Sequence, residues 1–266
     1  MTTSTAVRPV HTGVAAGLSD SLTMIDRSVR LTRRNLDTLI VSVVLPVMMM
    51  LLFVFVFGGA IDAGSAEYVN YVVPGILVLC TGYGASSTAM SVTNDLTTGM
   101  IDRLRSLPIR GSAVLTGHVV ASVARNAVST ALVVLVALAV GFRPTGSLAD
   151  WLLAAGLLLL YVLALSWLAA GVGALARTVE SASLFGFFML FLPYLSSAFV
   201  PTSSMPAVLR AIGENQPITP VVEAVRGLLI GTPIGSSGWI GLLWCAGLLV
   251  VGYAFATTAF VRRTRR

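Results

Sequence analysis

The run LIVSVVLPVMMMLLFVFVFG, residues 39–58, contains twenty consecutive residues without a charged side chain. A helix rises about 1.5 Å per residue, so a run of this length matches the roughly 30 Å hydrocarbon core of a bilayer. Its apolar residues are continuous rather than alternating, which favours a helix over a strand of a membrane β-barrel. The run therefore predicts a transmembrane helix.

Similar runs recur along the rest of the chain. Of its 266 residues, 56% are hydrophobic and only 11% are charged, against about 25% charged in a typical soluble domain. So little charge cannot cover the surface of a soluble protein, and we predict an all-α polytopic membrane protein. Its six predicted transmembrane helices are residues 39–58, 71–92, 119–142, 151–175, 183–200 and 239–261.

Small residues and prolines inside these spans bear on helix packing. Gly82 with Ser86, and Ala169 with Gly173, stand four residues apart, a spacing that lets two membrane helices approach closely. Prolines occur in spans 1, 2 and 5, where they mark either kinks or ordinary packing positions; they are Pro46, Pro74 and Pro193.

The arginines predict the orientation. The chain has no lysine and a net charge of +6. With both termini in the cytoplasm, thirteen arginines lie inside and three outside, namely Arg143, Arg210 and Arg226, as the positive-inside rule requires. Because the arginines flank apolar runs, membrane orientation explains them better than nucleic-acid binding. The predicted organisation is a cytoplasmic tail at 1–38, a transmembrane domain at 39–261 and a basic tail at 262–266.

The N-terminal tail has an amphipathic pattern just before span 1. Leu22, Ile25 and Val29 recur at helical spacing, and the arginines at 27, 30 and 34 form a separate stripe. This pattern predicts a helix lying on the inner leaflet. The alternative is a solvated tail that only fixes the topology.

A charged loop, residues 94–118, separates spans 2 and 3. Asn94 or Asp95 suits the cap of a short helix, and Pro108 suits its end. Between them Met100, Leu104 and Leu107 recur at i, i+4 and i+7, with Asp102 and Arg103 on another side. The pattern predicts a short amphipathic helix that docks on a cytoplasmic partner; the alternative is a plain connector. A second inner loop, residues 176–182, carries Arg177 and Glu180.

The last outer loop, residues 201–238, predicts two short helices. Pro206 suits the first position of one helix, while Thr219 before Pro220 suits the cap of the other. In that second helix, Glu223 is placed to pair with Arg226, and Val222, Val225 and Leu229 form an apolar side. The helices either dip into the outer leaflet or form an ordinary extracellular cap.

Enzymatic chemistry has little support in this sequence. The chain lacks the Gly-x-x-x-x-Gly-Lys-Ser/Thr loop that cradles nucleotide phosphates, and His11 and His118 have no second metal ligand nearby. Cys80 and Cys245 are expected to be packing residues. We therefore expect no catalytic residue, metal or cofactor in this chain. Arg125 lies inside span 3 near its inner end, where it either reaches the interface or forms an ion pair, or else takes part in gating.

Two motifs resemble those of ABC-2 type transporter permeases, within them the daunorubicin/doxorubicin-resistance type of high-GC bacteria. The first is Asp95-x-x-x-Gly99-Met100-x-Asp102-Arg103-Leu104-x-x-x-Pro108 in the first inner loop. The second lies in the outer loop, where Gln216 departs from the family pattern by separating its asparagine from the next proline. Its matching residues are Pro201, Met205, Pro206, Asn215, Pro217, Thr219, Glu223 and Arg226.

The resemblance implies a membrane subunit of an ATP-driven exporter in a bacterial cytoplasmic membrane. It also implies that the two short helices of the outer loop are re-entrant and dip into the outer leaflet. ATP and Mg would be bound by separate ATPase subunits, which would grip the inner loops. A second copy of this chain or a homologous permease would complete the complex among the membrane lipids. The residues expected to couple to the ATPase are Asp95, Gly99, Met100, Asp102, Arg103, Leu104, Leu107, Pro108, Arg177 and Glu180.

In the family, spans 2 and 5 line the path between two permeases. The residues expected on that path are Tyr83, Ser86, Ser87, Phe187, Phe188, Phe191 and Tyr194; bundle or lipid packing is the alternative for each. They suit an amphipathic cargo, either a drug-like compound or a lipid. The same mechanism would also serve lipid-linked polysaccharides or complex envelope lipids. An ion-coupled secondary transporter is a different alternative, but that class carries acidic residues within its spans, and none is placed there here.

Overall fold

The computed structural model describes residues 36–58, 65–100 and 111–264. Within these ranges the chain is mostly helical and contains no strand. The predicted N-terminal interfacial helix and the last two residues of the basic tail lie outside the described residues. The helices are α1 Leu36–Leu51, α2 Ser65–Thr97, α3 Gly111–Val140, α4 Leu148–Leu175, α5 Val179–Phe191, α6 Ala207–Glu214, α7 Ile218–Ile230 and α8 Ser237–Thr264.

Five helical stretches in the described residues are long and apolar enough to cross a membrane. They are Ile40–Phe57, Tyr68–Thr97, Ala113–Val140, Leu148–Leu175 and Ser237–Thr264, and they coincide with predicted spans 1, 2, 3, 4 and 6. The fifth predicted span falls on a shorter apolar helix, Val179–Leu195. The all-helical membrane fold is thus confirmed, whereas a sixth full crossing stays a prediction.

The shorter helix ends where Pro193 changes its geometry. After Phe191 the chain tightens into the 3-10 helix Leu192–Leu195 and then continues without regular structure. This irregular segment is buried against α2, because Tyr71 donates to the Ser197 carbonyl at 3.0 Å and Tyr68 to that of Phe199 at 3.4 Å. A non-helical backbone is tolerated at membrane depth when protein covers it in this way.

The ends of the helices gather into two groups. At one end Thr93 Oγ1 donates to the Gly173 carbonyl at 2.9 Å, and Arg263 donates to that of Ala176 at 2.6 Å. At the other end the Arg143 backbone N–H donates to Asn70 Oδ1 at 2.9 Å, and Thr145 donates to the Ile230 carbonyl at 2.7 Å. The two inner loops therefore lie at the end opposite to the outer loop.

Helix α2 is the most enclosed of the long helices, with 94% of its most apolar stretch buried. It packs against α3, α4 and α5, and its approach to α4 is very close. A Cβ added at Gly173 would lie only 2.4 Å from the Ala89 carbonyl oxygen. At Gly82 a Cβ would meet nothing nearer than 3.7 Å. Of the two small-residue patterns, the Ala169 and Gly173 pair therefore marks the tight contact.

The start of α7 differs from the prediction. The helix begins at Ile218 with Pro217 as its N-cap, so the prediction that Thr219 caps it is wrong. Proline has no backbone N–H and a fixed φ, and therefore fits a helix start at no cost in hydrogen bonds. Thr219 instead donates its hydroxyl to the Gly213 carbonyl at the end of α6. The apolar side of Val222, Val225 and Leu229 is buried, as the sequence predicts.

Candidate functional site

The first inner loop leaves α2 through a defined helix end. Helix α2 runs to Thr97, and both the backbone N–H and the hydroxyl of Thr98 donate to the Asn94 carbonyl, at 2.9 and 2.8 Å. Gly99 follows with φ +69°, a left-handed conformation that glycine adopts without steric cost. Asn94 and Asp95 thus lie in the last turn of a helix, and the prediction that one of them starts a helix is wrong.

Asp95 and His118 tie together the two helices that flank this loop. His118 Nε2 lies 3.1 Å from Asp95 Oδ2, and both side chains are largely buried. The contact joins the end of α2 to the first turns of α3, although the two residues are 23 positions apart in the chain. The sequence analysis named His118 only as a histidine without a second metal ligand; nothing in its spacing shows that α3 folds back beside Asp95.

The remaining coupling residues of this loop are only partly visible. Gly99 and Met100 are half-buried at the start of the loop. Asp102, Arg103, Leu104, Leu107 and Pro108 lie outside the described residues, so the amphipathic docking helix stays a prediction.

The second inner loop is short and capped on both sides. Thr178 and Ser181 form a reciprocal capping box at the start of α5, with both side chain to backbone distances at 3.2 Å. Arg263 of α8 reaches the last carbonyls of α4, where a cation is favoured by the helix dipole. Arg177 and Glu180 stay exposed between these fixed points. Arg263 was predicted only as a topology signal, and its capping contact depends on tertiary packing.

The predicted path residues separate into exposed and covered groups. Phe187, Phe188 and Phe191 are all exposed on one side of α5, while Tyr83 and Ser87 are partly exposed on α2. The structure thus places these five residues on accessible surface of the two helices.

Ser86 is instead buried, and Tyr194 is half-buried by packing against other parts of the bundle. Ser86 is buried against Gly186 and donates to the Tyr83 carbonyl at 2.6 Å. Tyr194 stacks on Phe199 at 4.9 Å and donates to Met49 Sδ at 3.1 Å. Both residues pack between helices in this conformation.

Arg125 is buried against α2 rather than exposed, and its place near the inner interface and its role in gating stay predictions. Its side chain is only 8% exposed, and its guanidinium donates to Ser87 Oγ across the α2–α3 contact. No carboxylate of the described residues lies within ion-pair distance of it. The guanidinium is therefore held beside α2 by a neutral hydroxyl.

Within the outer motif, Arg226 contacts both α2 and the irregular segment around Ser197. Its guanidinium lies 3.9 Å from the centre of the Tyr71 ring, and it donates to the Ser197 carbonyl at 2.7 Å and to the Tyr71 carbonyl at 3.2 Å. Glu223 accepts a hydrogen bond from Ser237 at 2.7 Å. The prediction of a Glu223–Arg226 pair is wrong, because the two side chains turn toward different neighbours.

The other residues of the outer motif surround the short helix α6. Asn215 donates to the Ala211 carbonyl at 2.8 Å at the end of that helix, and Pro206 caps its start. Gln216, which departs from the family pattern, donates to the Leu195 carbonyl at 2.6 Å. Pro201 is exposed, whereas Met205 and Pro217 are partly buried.

Comparison with known proteins decides the family. The profile of the ABC-2 type transporter family matches residues 20–230, most of the chain. The chain belongs to the ABC-2 type transporter family. It is a multi-pass membrane protein and a transport subunit of that family.

Two relatives of this ABC-2 permease carry drug-resistance names. The daunorubicin resistance ABC transporter permease protein DrrB1 of Streptomyces coeruleorubidus is 31% identical over 241 residues, covering 89% of this chain and 84% of the relative. The probable doxorubicin resistance ABC transporter permease protein DrrC of Mycobacterium tuberculosis (strain H37Rv) is 27% identical over 258 residues, covering 92% of both chains. These matches support a membrane subunit of an ABC exporter.

The described part of this ABC-2 permease offers no cluster of three or more His, Cys, Asp or Glu side chains that could hold a metal ion. Cys80 and Cys245 are both buried and free. The arrangement instead presents loops at one end of the bundle and accessible aromatic side chains along α5.

Proposed function

We propose that this chain is the membrane subunit of an ATP-driven exporter that moves an amphipathic molecule outward across a bacterial cytoplasmic membrane, with both of its termini in the cytoplasm. ATP and Mg are bound by separate ATPase subunits. The observation that carries the proposal is the contact, at one end of an ABC-2 bundle, between the two helices that lead to the inner loops. Thr93 of α2 bonds to Gly173 of α4, about one turn from each loop.

The contacts of α2 suggest how force on the inner loop reaches the cargo path. A push on residues 100–110 acts on α2 and α3 together, because Asp95 and His118 connect them. Helix α2 is closely packed on α4 and α5, so its displacement moves the helices that carry the path residues. Packed interfaces of this kind move as units rather than deforming continuously.

A second permease completes the transporter in this proposal. Phe187, Phe188 and Phe191 stay exposed in the single chain, on the helix that is expected to line the path. Exposed aromatic surface on α5, together with the partly exposed hydroxyls of Tyr83 and Ser87 on α2, suits a cargo with an apolar body and a polar group. The relatives named for daunorubicin and doxorubicin resistance favour a drug-like cargo; export of a lipid or a lipid-linked polysaccharide would use the same steps.

The test is co-purification of the chain with its co-expressed ATPase. We expect Leu104→Asp to abolish ATPase retention and export while membrane insertion is unchanged, because it places a charge on the predicted docking stripe. Ser236→Asp is the matched control, since Ser236 is exposed at the opposite end of the bundle. Unchanged ATPase retention by Leu104→Asp would refute the coupling role.

The energy source is tested in cells loaded with a fluorescent amphipathic drug. Export should stop when ATP is depleted and persist when the proton and sodium gradients are collapsed by ionophores. The reverse result would identify an ion-coupled secondary transporter instead.

A further inference from the structure

Helix α3 carries a buried positive charge at its centre. Arg125 is the middle residue of a 30-residue helix, about 21 Å from either end, and its side chain is 8% exposed. A buried cation within a membrane-spanning helix is costly to keep unless it has a partner or a function. The described residues provide no carboxylate partner for it.

The hydrogen-bonding capacity of this guanidinium is mostly unused. An arginine offers five N–H donors, whereas the structure gives Arg125 one acceptor, Ser87 Oγ. Its Nε is buried and has no partner. Ser87 uses its own hydrogen on the Gly84 carbonyl at 2.8 Å, so its lone pairs are free to face the arginine. The site therefore lacks a negative charge and supplies this guanidinium with one acceptor.

Ser87, which accepts the hydrogen bond from Arg125, is itself partly exposed on one side of α2. Tyr83, Ser87 and Ser91 are partly exposed at four-residue spacing, and Asn94 is exposed about one turn further on. The neighbouring Ser86 is covered by Gly186 of α5. Arg125 thus lies behind the polar stripe that the proposed function places on the cargo path.

We propose that Arg125, together with Ser87, binds the anionic group, a phosphate or a carboxylate, of an amphipathic molecule in this path. Arginine suits this role because its planar guanidinium donates two parallel hydrogen bonds to such a group. The apolar part of the molecule would lie along the exposed phenylalanines of α5. The inference rests on the proposed function for the path, and it specifies an anionic amphiphile as the ligand.

The experiment uses the permease–ATPase complex in phosphatidylcholine nanodiscs. The probe is dodecyl phosphate with a photoreactive diazirine next to its head group, and the labelled peptides are identified by mass spectrometry. We expect labelling near Ser87 and Arg125, with a loss of about tenfold or more in Arg125→Gln. The same tail with a trimethylammonium head should not label these peptides. Arg143→Gln, which removes an exposed arginine beyond the end of α3, should label as the unchanged chain does.

A second variant tests the site without emptying it. Ser87→Asp places a carboxylate beside the guanidinium, which should occupy Arg125 and suppress labelling as strongly as Arg125→Gln. Equal labelling of the unchanged chain and Ser87→Asp, or equal labelling by the phosphate and ammonium probes, would overturn the proposal. The Ser87→Asp result decides if Arg125→Gln does not insert.

The source of the anion is separated by the lipid. Suppression of labelling by phosphatidylglycerol in the nanodisc would assign the site to a lipid head group. Suppression only by unlabelled dodecyl phosphate would assign it to a soluble anionic cargo, and either result supports the site. ATP-dependent export is measured in parallel. Its absence with intact labelling would refute only the transport function, and its presence with labelling unaffected by Arg125→Gln would refute only the anion site.

Discussion

Gly173→Ala should push α4 away from α2 at the inner end of the bundle. The added Cβ would lie 2.4 Å from the Ala89 carbonyl oxygen and 2.9 Å from its Cα, so one backbone must move. Overpacking of this kind costs about 1–3 kcal/mol, and losing the bond from Thr93 to the Gly173 carbonyl costs about 1 kcal/mol more. The higher helix propensity of alanine returns about 1 kcal/mol, which leaves a net loss of about 1–3 kcal/mol.

The same helix supplies a matched control. A Cβ added at Gly156 would meet no atom within 4 Å, so Gly156→Ala gains the helix propensity without a clash. At about 2–4 °C per kcal/mol for a chain of this size, the midpoint of thermal unfolding should fall by about 2–12 °C in Gly173→Ala. In Gly156→Ala it should rise by about 2–4 °C.

The measurement is fluorescence-detected thermal unfolding of both variants in the same detergent, with ATP-driven export measured in parallel. Export by Gly173→Ala should fall, because α2 carries the inner loop and its contact with α4 is altered. Equal unfolding midpoints for the two variants would show that α2 and α4 do not approach as closely as described, and would refute the reasoning.

Three further predictions test the outer motif, the inner-loop stems and the topology. Arg226→Gln should lower the free energy of unfolding by about 2–3 kcal/mol, because two carbonyls and the Tyr71 ring lose a cation. Tyr71→Phe should lower it by about 1 kcal/mol, because only the hydrogen bond of its hydroxyl is lost. Equal shifts of the two variants in thermal unfolding would contradict this. His118→Phe should reduce export several-fold while ATPase retention in a pull-down is unchanged, since it removes the link between α2 and α3; unaltered export would argue against that link. A membrane-impermeant maleimide should label Ser236→Cys but not Arg177→Cys in intact cells, and the reverse in inverted vesicles. Background labelling should be low because both native cysteines are buried. Labelling of Arg177→Cys in intact cells would show that the topology is the opposite of the proposed one.

The membrane fold was predictable because apolar run length depends on local sequence alone. Five predicted spans coincide with helices of spanning length. The outer end of predicted span 5 was wrong. Its apolar run continues past Pro193, but the helix tightens there and residues 196–199 pack as irregular backbone. The run could not reveal that Tyr68 and Tyr71 bond to the carbonyls of this segment.

Side-chain pairing was less predictable, because it depends on which helices become neighbours. The i, i+3 spacing of Glu223 and Arg226 predicted a local pair, yet each side chain bonds outside its own helix. Spacing gave no sign that His118 reaches Asp95. Local spacing decides which pairs are possible, and tertiary neighbours decide which of them form.

Helix α2 is held at both ends by different kinds of contact. At its inner end it is joined to α3 through Asp95 and to α4 through Thr93. At its outer end Tyr71 bonds to the 196–198 segment and lies under Arg226, which α7 carries. In the proposed function, force on the inner loop would therefore reach the outer motif through this one helix.

Within that helix, we expect the backbone to bend most easily at Pro74. It has no N–H to donate to the carbonyl four residues earlier, so the hydrogen-bond ladder is interrupted between Tyr71 and the inner two thirds of α2. The next residue, Gly75, lies so close to Ala198 that a Cβ there would be 2.5 Å from its carbonyl oxygen. A bend at Pro74 toward Ala198 would therefore push on the 196–198 segment, and that segment is the connection between α5 and the outer helices.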